Sequence, residues 1–99
     1  MDVKIQSIKF DADQKLVEFI NSKVSKLQRF SDAIIGAEVF LKIENTQEEE
    51  NKSVGVKLLI PGNELFVERN AKKFEEGLDE CIEVLKRQVK KHKEKQRGI

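Results

Sequence analysis

Two stretches of alternating residues constrain this chain more than anything else in it. Ala37, Val39, Leu41 and Ile43 alternate with Glu38, Phe40, Lys42 and Glu44, and further on Val54, Val56, Leu58 and Ile60 recur at every second position. A period of two puts alternate side chains on opposite faces of an extended strand. The apolar set needs a cover and the polar set needs water, which is the situation of a sheet packed on one side only. Between the two stretches, Asn45 to Lys52 is polar and contains Glu48-Glu49-Glu50, which suits an exposed hairpin loop.

The cover comes from segments with helical spacing. Leu16, Phe19, Ile20, Val24 and Leu27 recur at intervals of three and four, so residues 14–29 read as an amphipathic helix, with Asp13 placed to cap it. Its outer side carries Lys15, Ser22, Lys26 and Arg29, and Lys23 sits at the edge of the apolar stripe. Phe74, Leu78, Ile82, Leu85 and Val89 mark one face of a second helix, from about Asn70 or Ala71 to Lys95. At about 1.5 Å per residue it spans roughly 35 Å. The stripe ends near Val89, so the last turns are expected to project past the sheet. Gly77 costs this helix about 1 kcal/mol relative to Ala, a cost that close approach of another backbone would explain.

The remaining segments complete the topology. Val3, Ile5 and Ser7 alternate with Lys4, Gln6 and Ile8 as a first strand, and Ser31-Asp32 closes the first helix before a strand starting near Ile34 or Gly36. Pro61-Gly62-Asn63 makes a turn into a short fourth strand, Glu64 to Arg69. The order is β-α-β-β-β-α. The first helix becomes a right-handed crossover between parallel strands, and short turns make the other neighbours antiparallel. The fold expected is α+β, a two-layer sandwich with both helices on one face of a four-stranded mixed sheet. Its 99 residues make a single domain.

Composition removes several function classes. No apolar run approaches the roughly 18 residues that cross a bilayer, and Met1-Asp2-Val3-Lys4 does not start like a secretory signal. Cys81 is alone, which excludes an intramolecular disulfide and a multi-cysteine metal site, so the expected compartment is the cytoplasm. Cys81 itself, beside Ile82, reads as a small buried hydrophobe. The one histidine, His92, lies among lysines that would oppose a bound cation and has no partner for nucleophilic catalysis. The carboxylate pairs Glu75/Asp79 and Asp79/Glu83 are i,i+4 neighbours on an exposed helix side, and Glu48/Glu50 lies in a loop; none of these settings raises a carboxylate pKa towards neutrality. No phosphate-cradling glycine loop, nucleophile elbow or zinc motif is present. No enzyme, metal, cofactor or small-molecule substrate is expected.

Charge is distributed unevenly. Residues 86–99 hold seven basic residues against Glu94, a net +6, while the other 85 residues hold 12 cations and 17 anions, a net −5. Two readings are open for this basic end: contact with a polyanion, or solvated cations that complement a helix dipole. If both helices share a face of the sheet, Lys15, Lys23, Lys26 and Arg29 could join the basic end in one cationic surface, although on spacing alone a solvated helix face is the preferred reading of these four. Such a surface would contact phosphates without reading bases. Phe40 is the one aromatic candidate on the outer sheet face, and packing against its neighbours accounts for it, so base stacking is not the expected mode.

The run Arg87-Gln88-Val89-Lys90-Lys91-His92-Lys93-Glu94-Lys95 resembles the closing helix of the ribosome hibernation-promoting factors, short members of the ribosome-associated inhibitor family, also called sigma-54 modulation proteins. Lys23-Val24-Ser25-Lys26-Leu27 resembles the family's first helix and Val39 to Glu44 its second strand. Gly62, Glu64, Leu65 and Phe66 resemble the turn and strand before its last helix, and Asp79 falls at a usual acidic position. The resemblance covers essentially the whole chain and implies the strand-helix-three strands-helix fold. It further implies binding to small-subunit ribosomal RNA in the channel used by messenger and transfer RNA, blocking translation in starved or stationary cells. Carried over by position, it assigns RNA contact to Lys23, Lys26 and Arg29, and to Lys86, Arg87, Lys90, Lys91, His92 and Lys93.

The departures are Lys73, where many members are acidic, Gly77, where Ala is usual, and the acidic Glu48–Glu50 loop. The sequence stops at Ile99, so the expectation is a short form without the long-form C-terminal dimerisation domain. Pairing of ribosomes would then need a separate dimerising factor. The rival readings are a general double-stranded-RNA module, which the extra strand at Val3–Ile8 disfavours, and a protein-interaction domain whose basic end docks on an acidic partner.

Overall fold

The structure, a computed structural model, describes residues 1–97, with side chains as far as His92. Strand β1 (Asp2–Ile8) leads through a turn at Lys9, whose φ is 65°, to helix α1 (Gln14–Ser25). Asp13 starts that helix: its Oδ1 accepts the backbone N–H of Leu16 at 2.8 Å and so satisfies one of the donors a first turn leaves free. A 3₁₀ turn, Lys26–Arg29, ends it. Strands β2 (Gly36–Ile43), β3 (Lys52–Ile60) and β4 (Asn63–Ala71) follow, and α2 (Phe74–Arg97) closes the described chain.

The sheet is four-stranded in the order β1-β2-β3-β4. β1 and β2 are parallel, joined by the α1 crossover, and the other pairs are antiparallel. Register brings Ile5, Val39, Val56 and Val67 into one row and Ser7, Leu41 and Val54 into the next. On this inner face Val39, Leu41, Val54, Val56 and Leu58 are wholly buried, as are Ile20 and Val24 of α1 and Leu78, Cys81 and Leu85 of α2. One apolar cluster therefore joins both helices to one face of the sheet, as the alternation requires. At about 25 cal/mol per Å², this burial is the main term holding the layers together.

Several details differ from the sequence expectation. The first helix does not run in α geometry to residue 29; its last four residues tighten into the 3₁₀ turn while Leu27 keeps its place in the core. β4 is longer than Glu64–Arg69, because pairing with β3 continues to Lys52 opposite Ala71, and α2 accordingly starts at Phe74. Cys81, not Ile82, is the wholly buried position in the middle of α2, and Ile82 lies half-buried beside it. Ile43 runs past the cover of the helices and is exposed. At Gly77 the close neighbour is a side chain and not a backbone: a Cβ there would stand 3.0 Å from Val54 Cγ2 and 3.6 Å from the Cβ of Ala71. Glycine lets α2 settle onto β3 and β4 at that point.

Candidate nucleic-acid interface

The basic residues are placed by the packing of the helix ends. In a 3₁₀ turn, residues three apart eclipse. Lys26 and Arg29 thus share one direction and are exposed, while Leu27 and Phe30 share another, towards α2. Leu27 is 1% exposed and anchors the turn. Phe30 caps it, its backbone N–H donating to the Leu27 carbonyl at 3.0 Å, and its ring is half-buried.

The end of α1 with its 3₁₀ turn faces the middle of α2 across a cleft whose walls include Lys23, Lys26, Arg29, Phe30 and Lys86. Lys23 Nζ stands 3.8 Å from Asp79 Oδ1, a pair bridging α1 to α2, and 5.5 Å from the Phe19 ring centroid. Lys86 Nζ and Lys90 Nζ stand 5.2 Å and 5.0 Å from the Phe30 ring centroid. Asp79 and Glu83 line the same cleft. Lys23, Lys26, Arg29 and Lys86 therefore line the cleft with Phe30, Lys86 and Lys90 stand at the Phe30 ring, and two carboxylates lie along the α2 wall.

The site residues expected from sequence do not all meet at one place. Lys23, Lys26, Arg29, Lys86 and Lys90 gather around the cleft. Arg87 and Lys91, one residue further round the helix, line an adjoining groove with Val84, Gln88 and Lys90. His92 is half-buried, and its Nε2 is enclosed without a hydrogen-bond partner among the described residues, so it is less open than its polar neighbourhood suggests. Lys93 falls outside the residues whose side chains are described. Lys15, at the other end of α1, is exposed.

Sequence reasoning missed two aromatic residues. Phe30 lies three residues after Leu27 and so continues the 3,4 spacing of the first helix, and that spacing, together with its position directly after Arg29 at a basic helix end, was the available signal. Phe66 lies on the outer sheet face and is 51% exposed, so Phe40 is not alone there. Phe66 reaches over Gly55, where a Cβ would stand 3.1 Å from its Cζ, and Lys57 Nζ lies 5.9 Å from the Phe40 ring centroid. Glu38, Lys57 and Phe66 share one row of this face, so its charges are mixed.

The Cys81 thiol is directed at the Val54 carbonyl at 3.5 Å, with the Val67 carbonyl at 3.7 Å, and burial pushes its pKa up from 9.0 to about 11. A thiol so held is a poor nucleophile at neutral pH. Among the described residues no group of three or more His, Cys, Asp or Glu is placed to hold a metal ion. No helix among them is long and apolar enough to cross a membrane.

Comparison with known proteins matches residues 3–97 to the family described as sigma 54 modulation protein / S30EA ribosomal protein. A protein of Pseudomonas putida named ribosome hibernation promoting factor is 29% identical over 99 residues, covering 100% of this chain and 93% of that one. A protein of the same name from Escherichia coli is 27% identical over 95 residues, covering 96% of each. Among solved structures, the N-terminal domain of Thermus thermophilus Protein Y superposes with a TM-score of 0.80 at 19% identity, covering 93% of this chain and 99% of that one. A ribosomal subunit interface protein from Coxiella burnetii gives 0.78 at 20% identity, covering 94% and 98%. At those identities the two structures establish the shared fold.

Proposed function

The chain belongs to the sigma 54 modulation protein / S30EA ribosomal protein family, and from that premise we propose that it is a ribosome hibernation factor that binds small-subunit ribosomal RNA. The observation that carries the RNA reading is the joining of Lys23, Lys26 and Arg29 with Lys86 and Lys90 around one cleft. Cations spread over two helices suit successive phosphates of a folded RNA backbone, and their attraction does not depend on base identity. Affinity for such a site falls steeply with salt, because each phosphate neutralised releases a counterion.

Inhibition on this reading is steric. The domain occupies the channel of messenger and transfer RNA, and its bulk excludes both while its cations hold ribosomal phosphates. It acts in the cytoplasm and makes or breaks no covalent bond. Relatives named for ribosome hibernation support the role; the placement in the channel rests on the family resemblance together with the cationic cleft.

Cosedimentation with vacant bacterial ribosomes tests the proposal. The wild type is expected to bind the small subunit saturably, one copy per ribosome, with an affinity that drops as salt is raised. Protein left in the supernatant even at low salt would overturn the reading.

A further inference from the structure

We propose that Phe30 is a positioning residue of this basic face: its ring gathers the ammonium groups of Lys86 and Lys90 so that a single RNA phosphate meets two cations already aimed at it. The inference deepens the ribosomal RNA reading and rests on it.

The geometry is unusual for surface lysines. Lys86 and Lys90 are one helical turn apart on α2, and as like charges they gain by separating into solvent. Both ammonium groups are instead found near one ring, at 5.2 Å and 5.0 Å from its centroid. The negative face of an aromatic ring attracts a cation within about 6 Å. The backbone that carries the ring is held, because the Phe30 N–H caps the 3₁₀ turn whose Leu27 is buried in the core, and the ring itself is half-buried. Phe30 thus ties the end of α1 to the basic half of α2 through cations rather than through apolar packing alone.

Lysine is a compact charge on a flexible stem, and binding a phosphate freezes that stem at an entropic cost. A stem already held against a ring has less freedom to lose. A phosphate presents several acceptor oxygens and can accept from both ammonium groups at once, whereas two dispersed lysines would each have to be recruited. The ring therefore acts on affinity through Lys86 and Lys90, without touching RNA itself.

The test is a binding cycle on vacant ribosomes at fixed salt, with Phe30→Leu, Phe30→Tyr, Lys86→Met/Lys90→Met, and Phe30→Leu combined with the lysine double variant. Phe30→Leu is expected to weaken binding about fivefold while Phe30→Tyr, which keeps an aromatic face, stays within about twofold of wild type. In the lysine-to-methionine background Phe30→Leu should cost nothing further, since the groups it positions are gone. Proton NMR of the free protein gives a second reading: ring-current shifts on the Lys86 and Lys90 ε-methylenes should disappear in Phe30→Leu. Wild-type-like binding by Phe30→Leu, or an equal loss with and without the two lysines, would overturn the positioning role and leave the RNA reading standing. Absence of saturable wild-type binding would overturn the RNA reading and this inference with it.

Discussion

The two halves of α2 are built by different forces. From Phe74 to Leu85 the helix carries Phe74, Leu78, Cys81 and Leu85 in the core and Glu75, Glu76, Asp79, Glu80 and Glu83 on its outside. From Lys86 onward only Val89 is buried among the described side chains, and the outside turns to Lys86, Arg87, Lys90 and Lys91. Acidic residues near the start and basic residues near the end both favour the helix dipole, so the charge order alone is a stabilising arrangement. What sets the halves apart is where their charges lie. The acidic half lies on the sheet at Gly77 and Cys81, against Val54, and reaches α1 through the Asp79–Lys23 pair, while Lys86 and Lys90 of the basic half gather at the Phe30 ring. Residues on one helix can thus serve the fold or a partner depending on which neighbour the turn beneath them meets.

Leu85 and Lys86, adjacent in sequence, give the sharpest way to break this comparison. Leu85 is wholly buried, and Leu85→Ala should cost about 2–5 kcal/mol of unfolding free energy, measured by urea denaturation. A loss below about 1 kcal/mol would mean that the first half of α2 is not the core element described here. Next in size, Lys86→Glu/Lys90→Glu should weaken ribosome binding about 100-fold and flatten its salt dependence, with a thermal midpoint close to wild type. A large drop in the midpoint with binding intact would reverse the assignment of the two halves.

The first half of α2 was readable from sequence and the second only in part. The alternation of β2 and β3 announced their buried face correctly, and the 3,4-spacing located both helices, because each pattern records a choice between core and water. The same logic missed Phe30 and Phe66, which sit at neither extreme: one is half-buried under lysines, the other lies over Gly55. Periodicity could not choose between Cys81 and Ile82, since both fit a helical stripe and only the docking of α2 over Val54 decides. The 3₁₀ turn at residues 26–29 was hidden because Leu27 satisfies α and 3₁₀ spacing alike. For the site, the basic residues were legible as a set, but their division between the Phe30 cleft and the Arg87–Lys91 groove depends on the rotation of α2.

Cys81 tests the buried half through pH. Its pKa is raised from 9.0 to about 11, mainly by desolvation. Below pH 9 the thiol is protonated in both folded and unfolded chains and the contribution is fully present. As pH rises above 9 the unfolded chain gives up its proton first, so stability is lost progressively until the folded thiol also titrates near pH 11. Urea midpoints between pH 8 and 10 should therefore fall more steeply for wild type than for Cys81→Ala, which lacks the group. Equal slopes would show that the thiol is not enclosed between α2 and the sheet.

The smallest effect expected lies where the acidic half of α2 meets α1. Asp79 pairs with Lys23 at 3.8 Å, but both side chains are substantially exposed, at 55% and 38%. Such pairs contribute about 0–1 kcal/mol, so Asp79→Asn should change stability by less than about 0.5 kcal/mol. Its effect on binding has two opposing parts. Removing the carboxylate lowers the repulsion felt by an incoming phosphate, worth about 0.4 kcal/mol at 10 Å in water-like surroundings. It also releases Lys23 from one of its two holds, although the Phe19 ring at 5.5 Å remains. With that second hold in place the electrostatic part wins, and Asp79→Asn should bind ribosomes about twofold more tightly at low salt. The gain should fade as salt screens the cleft. Weaker binding by Asp79→Asn would instead make the carboxylate the group that aims Lys23, and would extend the positioning role of Phe30 to the acidic half of α2.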